Sequence, residues 1–377
     1  MARIAHIANL YGPKSGGLRT SMNALAQEYV ELGHQVLLVV PGKVSKSSVV
    51  GGVKIIEVGA KKIPFTGGYR IILNLAPVKA ALENFKPDQI EISDRTTLLS
   101  IADWARVRDI PTLFFAHERV DGLLNTFIPY LPGKRLLAQL WNRHTLHKVD
   151  RVVATTRYAA QEFVNLGVKI SNSYSSKLIH VPLGVDLDRF NPDLKQGVGS
   201  SNQRYLLACT RLSKEKDPQF LIEIAKQLKQ EGVNVSLQIA GSGPQLGKLK
   251  AQVDKHSLPI TFLDFISDKG ELAKLMAQAD IFLAVGPIET FGLAALEALA
   301  CGTPVICRAE AAISEIINDK CGKSAGREIS IWVEHIKNYL TQELAATALA
   351  ARARAEEFSW QQSAKTLRDF DLLARVS

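Results

Sequence analysis

Missing from this 377-residue chain is any run of the roughly 18–20 apolar residues that a membrane-spanning helix needs. Its first residues, Met-Ala-Arg-Ile-Ala-His-Ile-Ala-Asn, lack the apolar stretch and cleavage pattern of a secretory signal and read as a first β-strand. The expected location is therefore cytoplasmic. Cysteine is scarce: Cys209, Cys301, Cys307 and Cys321 form no CxxC pair. Without that spacing a disulfide framework or a structural zinc site is not expected, and buried reduced thiols are. The eight histidines include no HExxH, so no metal ligand is assigned. No repeat or low-complexity tract is visible, which sets solenoids and tails aside.

What is present is the composition of an ordinary globular protein, 46% hydrophobic and 22% charged, at a length that favours two domains. Charge is uneven. Residues 1–185 carry 23 Lys and Arg against 13 Asp and Glu, while residues 186–377 carry 23 against 24. The whole surplus of the +9 chain lies in the first half. A basic half calls for an anionic partner: nucleic acid, an acidic substrate or a membrane surface; solvated lysines serving solubility are the plainer reading. No nucleic-acid module is present and the charge is dispersed over loops, so no nucleic-acid partner is expected.

The chain alternates between short apolar runs and amphipathic stretches. Residues 4–8 read as a strand, 18–32 as a helix stopped by Gly33, and 36–40 as a second strand, a βαβ unit. In the second half, strands are predicted at 205–209, 235–240, 260–263, 281–285 and 304–307, with helices at 218–230, 244–255, 269–278 and 290–300. The fold class is α/β, two facing Rossmann-like doubly wound domains with an inter-domain cleft and a C-terminal helix. The expected domains are 1–185, 186–357 and a tail helix over 358–377, packing back on the first domain. Residues 181–192, running into the polar stretch 195–203, form the expected linker.

Three constellations sit at strand-to-helix turns, where a doubly wound sheet binds ligands. In Pro-Ile-Glu289-Thr-Phe291-Gly292-Leu293-Ala-Ala-Leu-Glu297, Thr290 is expected to cap a helix whose start suits an anionic or hydroxyl-rich ligand. Glu289 and Glu297 can accept hydrogen bonds from two hydroxyl clusters, such as a sugar and a ribose; a solvated helix residue is the alternative for Glu297. Arg211 and Lys216 follow the 205–209 strand and can neutralise a diphosphate. Gly241-Ser-Gly243-Pro fails the dinucleotide fingerprint, because Leu246 stands where a third glycine is needed. Gly322-Lys-Ser imitates a P-loop ending, but Ile317 replaces its first glycine, which argues against an NTPase. In the first half, Gly16-Gly17 let a loop approach phosphates or are turn glycines. His117, after the strand 113–116, reaches a substrate hydroxyl or is a satisfied core residue. Asp94-Arg95 holds a comparable place.

Together these motifs resemble the retaining glycosyltransferases of family 4, of the two-domain GT-B architecture, over almost the whole chain. The most specific element is the acid–seven residues–acid spacing of Glu289 and Glu297. The resemblance implies that Glu289 holds the donor sugar, Glu297 the nucleotide ribose, and Arg211 and Lys216 the diphosphate. It implies that His117 lines the sugar pocket and that Phe265 and Ile266 lie near the base. Gly16, Gly17, Gly241, Gly243, Phe291, Gly292 and Leu293 complete the implied donor site, with Glu289, His117, Arg211 and Lys216 as its catalytic set. Thr210, where relatives often carry glycine, departs from the pattern. Ser93-Asp-Arg-Thr-Thr97 and His117-Glu-Arg-Val-Asp121 look most like actinobacterial GDP-mannose-dependent α-mannosyltransferases acting on lipids.

The expectation is thus a metal-independent α-mannosyltransferase needing no cofactor, with GDP-mannose as donor and a lipid or glycolipid acceptor. No Asp-x-Asp stands out as a metal clamp: Asp186-Leu-Asp188 has that form but lies in the linker. Residues 61–73 and 125–148 mix bases with large apolar groups, and read as bilayer contacts or as core helices with basic edges. The first reading makes the enzyme peripheral on the inner face of the membrane. Two rivals stand: a family 4 enzyme using a UDP- or ADP-sugar and a soluble acceptor, and a sugar-nucleotide epimerase of the same architecture.

Overall fold

A computed structural model describes residues 1–12, 16–63, 68–128, 130–171, 173, 175–195, 204–341 and 345–374. The chain divides into two compact units, one comprising Met1–Gly184 with Trp360–Ser377, the other Val185–Ser359.

The strands of the first unit are β1 (Arg3–Ile7), β2 (Gln35–Gly42), β3 (Lys46–Val50), β4 (Val53–Gly59), β5 (Lys61–Lys62), β6 (Arg70–Ile71), β7 (Gln89–Ile92), β8 (Thr112–Phe115), β9 (Arg151–Ala154) and β10 (Leu178–His180). Its helices are α1 (Gly17–Glu31), α2 (Ala76–Phe85), α3 (Ile101–Arg106), α4 (Val120–Phe127), α5 (Lys134–Lys148) and α6 (Arg157–Val164). Eight strands form one sheet in the order β10-β9-β8-β7-β1-β2-β4-β3. Every pair is parallel except β3 with β4. Both faces of the central strands are covered, so β2 is buried from Val36 to Gly42, the continuous apolar run that parallel sheets require. The exposed edge β3 carries Lys46, paired with Glu57 at 3.0 Å, and such charge discourages edge-to-edge association. The β3–β4 hairpin was not assigned from the sequence. Its tip is Gly51-Gly52, both at positive φ, the two-residue turn that matches strand twist.

The second unit holds β11 (Arg204–Cys209), β12 (Val235–Ala240), β13 (Ile260–Leu263), β14 (Ile281–Ala284), β15 (Val305–Arg308) and β16 (Gly322–Ala325). They form an entirely parallel sheet in the order β13-β12-β11-β14-β15-β16. Its helices are α7 (Gln219–Gln230), α8 (Leu246–His256), α9 (Lys269–Gln278), α10 (Leu293–Ala300), α11 (Ile329–Thr341) and α12 (Ala345–Glu356). Leu206, Phe220, Leu237, Ile306 and Trp332 lie in its core. The residues imitating a P-loop ending are strand β16; there a Cβ on Gly322 would stand 2.5 Å from the Val305 carbonyl.

The final helix, α13 (Trp360–Ala374), belongs to the first unit. Ser363 Oγ donates to the Pro182 carbonyl at 2.6 Å, and the nearly buried Arg368 donates to Gln89 Oε1 at 3.0 Å. The chain therefore passes between units twice, and the passages run side by side: Val185 N–H donates to the Phe358 carbonyl at 3.2 Å.

Candidate functional site

Each sheet has a point where chain order reverses direction, and there the loops at the carboxyl ends of two neighbouring strands diverge and leave a crevice. In the second unit it lies between β11 and β14. Arg211 and Lys216 leave β11 there, and Glu289 leaves β14. Lys216 Nζ donates to Glu289 Oε2 at 2.5 Å, with side chains 23% and 36% exposed. Two residues 73 positions apart are thus one half-open ion pair across the reversal point. Gly286 lies beside both: a Cβ there would stand 3.5 Å from Lys216 Cδ and 3.7 Å from Glu289 Oε2. Arg211, more exposed, has Glu215 at 4.0 Å.

Gly241 and Gly243 carry the loop after β12 against the loop after β11. A Cβ would fall 2.0 Å from the Thr210 carbonyl oxygen at Gly241, and 2.3 Å from that of Leu212 at Gly243. Leu212 N–H donates to the Ser242 carbonyl and Gln245 N–H to that of Leu212, lacing the loops together. These glycines serve backbone-to-backbone packing, which sets the base from which Arg211 and Lys216 project.

Thr290 does not cap the helix. Gly292 does, at φ +95°, and α10 begins at Leu293. A residue in the left-handed region cannot continue a right-handed helix, so the start moves three residues later than predicted. Phe291 is buried edge-on to Phe358, and the Glu289 carbonyl accepts from Ala312 N–H, which anchors the loop. Glu297 is 5% exposed and pairs with Lys269 at 2.7 Å. Burial pushes its carboxyl above the usual range, Lys269 draws it back, and Asp186 and Arg189 add smaller opposed effects. It is not a solvated helix residue. Phe265 and Ile266, half-buried, lie between β13 and Lys269. Lys269 escaped the sequence reading because nothing in local spacing ties it to a carboxylate 28 residues away.

In the first unit the reversal point lies between β1 and β7. Gly16 precedes α1 as its cap residue and Gly17 opens the helix, with no side-chain cap. Buried Asn9 bridges the two loops, donating to Thr97 Oγ1 at 2.8 Å and accepting from Ile72 N–H. His117, half-buried after β8, has its Nε2 2.8 Å from Ser93 Oγ. Burial, His6 and Arg95 push its pKa down to about 3, so it is neutral at physiological pH. Asp94 turns its carboxylate to Thr96 and Leu98 N–H, a loop-forming role. Arg95 donates to Asn142, Glu162 and the Glu118 carbonyl, tying α5 and α6 to the His117 loop.

Of the two basic-apolar segments, 61–73 forms the β5–β6 pair, and its Phe65 lies outside the described residues. Helix α5 has an inverted pattern. It buries Ala138, Asn142 and Thr145 and exposes Leu136, Leu137 and Leu140, with Arg143 one turn beyond Leu140. Among the described residues no helix is long and apolar enough to cross a membrane.

Comparison with known proteins places these observations. Residues 15–189 match the family described as Glycosyltransferase Family 4, and 191–356 that described as Glycosyl transferases group 1. The chain is 38% identical over 371 residues to a GDP-mannose-dependent alpha-(1-6)-phosphatidylinositol dimannoside mannosyltransferase of Mycobacterium tuberculosis (strain ATCC 25177 / H37Ra), covering 97% of this chain and 94% of that one. It is 27% identical to an alpha-monoglucosyldiacylglycerol synthase of Streptococcus pneumoniae (strain ATCC BAA-255 / R6), over 84% of this chain and 74% of the other. Among solved structures, sucrose-phosphate synthase from Thermosynechococcus elongatus shares the fold at a TM-score of 0.79 and 19% identity, with complete coverage of both chains.

Proposed function

The chain belongs to glycosyltransferase family 4, and we propose that it transfers an α-mannosyl group from GDP-mannose, with retention, to a lipid-linked or glycolipid acceptor at an anionic membrane surface. The observation that carries this reading is the Lys216–Glu289 pair at the reversal point of the second sheet. In a nucleotide sugar the phosphate and the sugar hydroxyls are separated by a few bonds, and a cation touching a carboxylate offers one partner to each. On donor binding Lys216 exchanges Glu289 for the diphosphate, and Glu289 accepts from sugar hydroxyls. Arg211 adds a second charge as the diphosphate leaves and the anomeric carbon becomes positive, the term that preorganised electrostatics lowers most. Two fixed cations supply that stabilisation, so turnover without added divalent metal is expected. Glu297, with Lys269, is assigned to the ribose, and Phe265 and Ile266 to the base. Phe291, Gly292 and Leu293 shape the α10 N-terminus, and Gly241 and Gly243 shape the loop base. Gly16, Gly17 and His117 keep the roles of the family resemblance.

The donor follows the 38% identical relative, which is named for GDP-mannose, and the lipid acceptor follows both relatives, whose names carry phosphatidylinositol dimannoside and monoglucosyldiacylglycerol. The surface reading is supported by α5, whose outward leucines with Lys134, Arg135 and Arg143 suit insertion among anionic headgroups. A thermal-shift panel of GDP, UDP and ADP and their sugars, with magnesium or with EDTA, tests the donor. The expected result is a magnesium-independent rise with GDP and GDP-mannose. A rise with UDP or ADP ligands alone would overturn the donor assignment while keeping the family. Product anomeric configuration by NMR reads the stereochemistry, and flotation with anionic against neutral vesicles reads the surface.

A further inference from the structure

Behind the Lys216–Glu289 pair stands a second layer of charge, centred on the residue next to the lysine. Lys216 ends a short 3₁₀ turn over Lys214–Lys216, and Asp217 follows it in the left-handed region at φ +46°. That backbone is costly for a residue with a side chain. Pro218 comes next, and the residue before a proline favours extended backbone. Local preference therefore works against this turn, and tertiary contacts have to hold it. Part of the hold is backbone: Lys216 N–H donates to the Ser213 carbonyl and Phe220 N–H to that of Asp217. The rest falls to the Asp217 carboxylate, whose Oδ2 accepts from Arg327 Nε at 3.0 Å and from Arg308 Nη1 at 3.4 Å. Both guanidiniums lie over the ring of buried Phe220, at 5.3 Å for Arg308 and 4.9 Å for Arg327, and that ring packs edge-on against Trp332.

Arg308 is the more deeply set of the two arginines. Its side chain is 7% exposed at the carboxyl end of β15, and its Nε also donates to Glu310 at 3.3 Å. Arg327 is open to solvent and shared with Glu223. Strand β15 neighbours β14, from which Glu289 leaves, and further along the loop that follows β15 the Ala312 N–H donates to the Glu289 carbonyl. One strand end thus grips both members of the ion pair: Glu289 through a backbone bond, and Lys216 through Asp217. We propose that Asp217 and Arg308 are positioning residues that fix the backbone from which Lys216 works, so that its ammonium exchanges Glu289 for the diphosphate while its turn stays in place. This rests on the reading of Lys216 as a partner of the diphosphate. A lysine needs such support more than an arginine does, because its ammonium is a point charge on a flexible stem with no planar fork to orient it.

The test is a double-substitution cycle on turnover of GDP-mannose, or of the UDP- or ADP-sugar should that one raise Tm instead, with each protein assayed well below its own Tm. Asp217→Gly suits the left-handed backbone and removes the carboxylate. It is expected to lower kcat/KM by about tenfold or more, mainly in kcat, the scale of a charge displaced by a fraction of an ångström. In the Lys216→Ala background, already far less active, the same change should cost no more than about twofold, because the group that Asp217 positions is gone. Asp217→Asn keeps the shape and an acceptor oxygen, so it should recover part of the loss; where Asp217→Gly does not fold, Asp217→Asn runs the same cycle. Unchanged kcat/KM in the single variant would overturn the proposal. So would an undiminished loss in the Lys216→Ala background, since a general loosening of the unit acts in both. Near-normal turnover of Lys216→Ala by itself is a different result: it removes the reading of Lys216, and the proposal with it.

Discussion

The two units are wound alike, yet their reversal points are finished in different ways. In the second, between β11 and β14, the loops meet through a half-open ion pair, Lys216 with Glu289, over close-packed glycines. In the first, between β1 and β7, short side-chain hydrogen bonds join the strand ends, Asn9 with Thr97 and His6 with Ser93. Charge divides along the chain in the same sense: residues 1–185 carry 23 Lys and Arg against 13 Asp and Glu, and residues 186–377 carry 23 against 24. The lesson is that one topology supplies a crevice twice, while the side chains at the strand ends decide its chemistry. A half-open ion pair is ready to exchange partners with a charged ligand. A hydrogen-bond network instead holds its side chains in fixed positions.

The largest effect should come from breaking the charged crevice. Lys216→Ala or Glu289→Ala should lower transfer by about 10²–10³-fold, the scale of losing one preorganised electrostatic partner, with little change in Tm. Near-normal turnover in either would remove this crevice from the chemistry. Next comes its floor. Gly243→Ala places a Cβ 2.3–2.7 Å from three backbone atoms of Leu212 and should destabilise by about 1–3 kcal/mol in denaturant melts. A neutral result would mean that the two loops are not locked together.

Third, Leu136→Asp with Leu140→Asp should lower affinity for anionic vesicles by about tenfold or more, since burying each leucine is worth roughly 1.5–3 kcal/mol. Both side chains are exposed, so Tm should barely move. Vesicle binding that survives the pair would place the basic unit's partner elsewhere.

Fourth, the first unit's crevice should show an acid cost. The folded-state pKa of His117, about 3, lies below the ordinary 6.5, so between those values the unfolded chain binds a proton that the folded one does not. Stability therefore falls as pH drops from about 6.5 toward 3. His117→Gln should lose less Tm than wild type between pH 7 and pH 5, and equal losses would contradict the depressed basicity. The smallest effect is a control of opposite sign. Gly247 in α8 has nothing within 4 Å of a would-be Cβ, so Gly247→Ala should stabilise by about 0.5–1 kcal/mol.

Much of the second unit was readable from letters alone. Strands at 235–240 and 260–263 and the helix at 269–278 fall on the predicted residues, because apolar runs and their breaks are local signals. Gly33, at φ +80°, ends α1 as a glycine in that place does. Misplacements have local causes too. Thr290 has the chemistry of a cap, but Gly292 carries the left-handed turn, and backbone conformation outranks side-chain preference. Strand β16 was missed because Gly-Lys-Ser-Ala has no apolar pattern; it is a strand through its pairing with β15.

Sequence by itself determined the α/β alternation, the family and which residue types stand at the strand ends, since those rest on periodicity and motif spacing within short windows. Only tertiary structure decided that Lys216 meets Glu289, that Lys269 meets Glu297, that Glu91 and His6 stand behind His117, and that α5 turns its leucines outward. Those pairs join residues 28 to 85 positions apart. What brings them together is strand order in the two sheets, and strand order is set by the packing of the whole chain rather than by any segment of it.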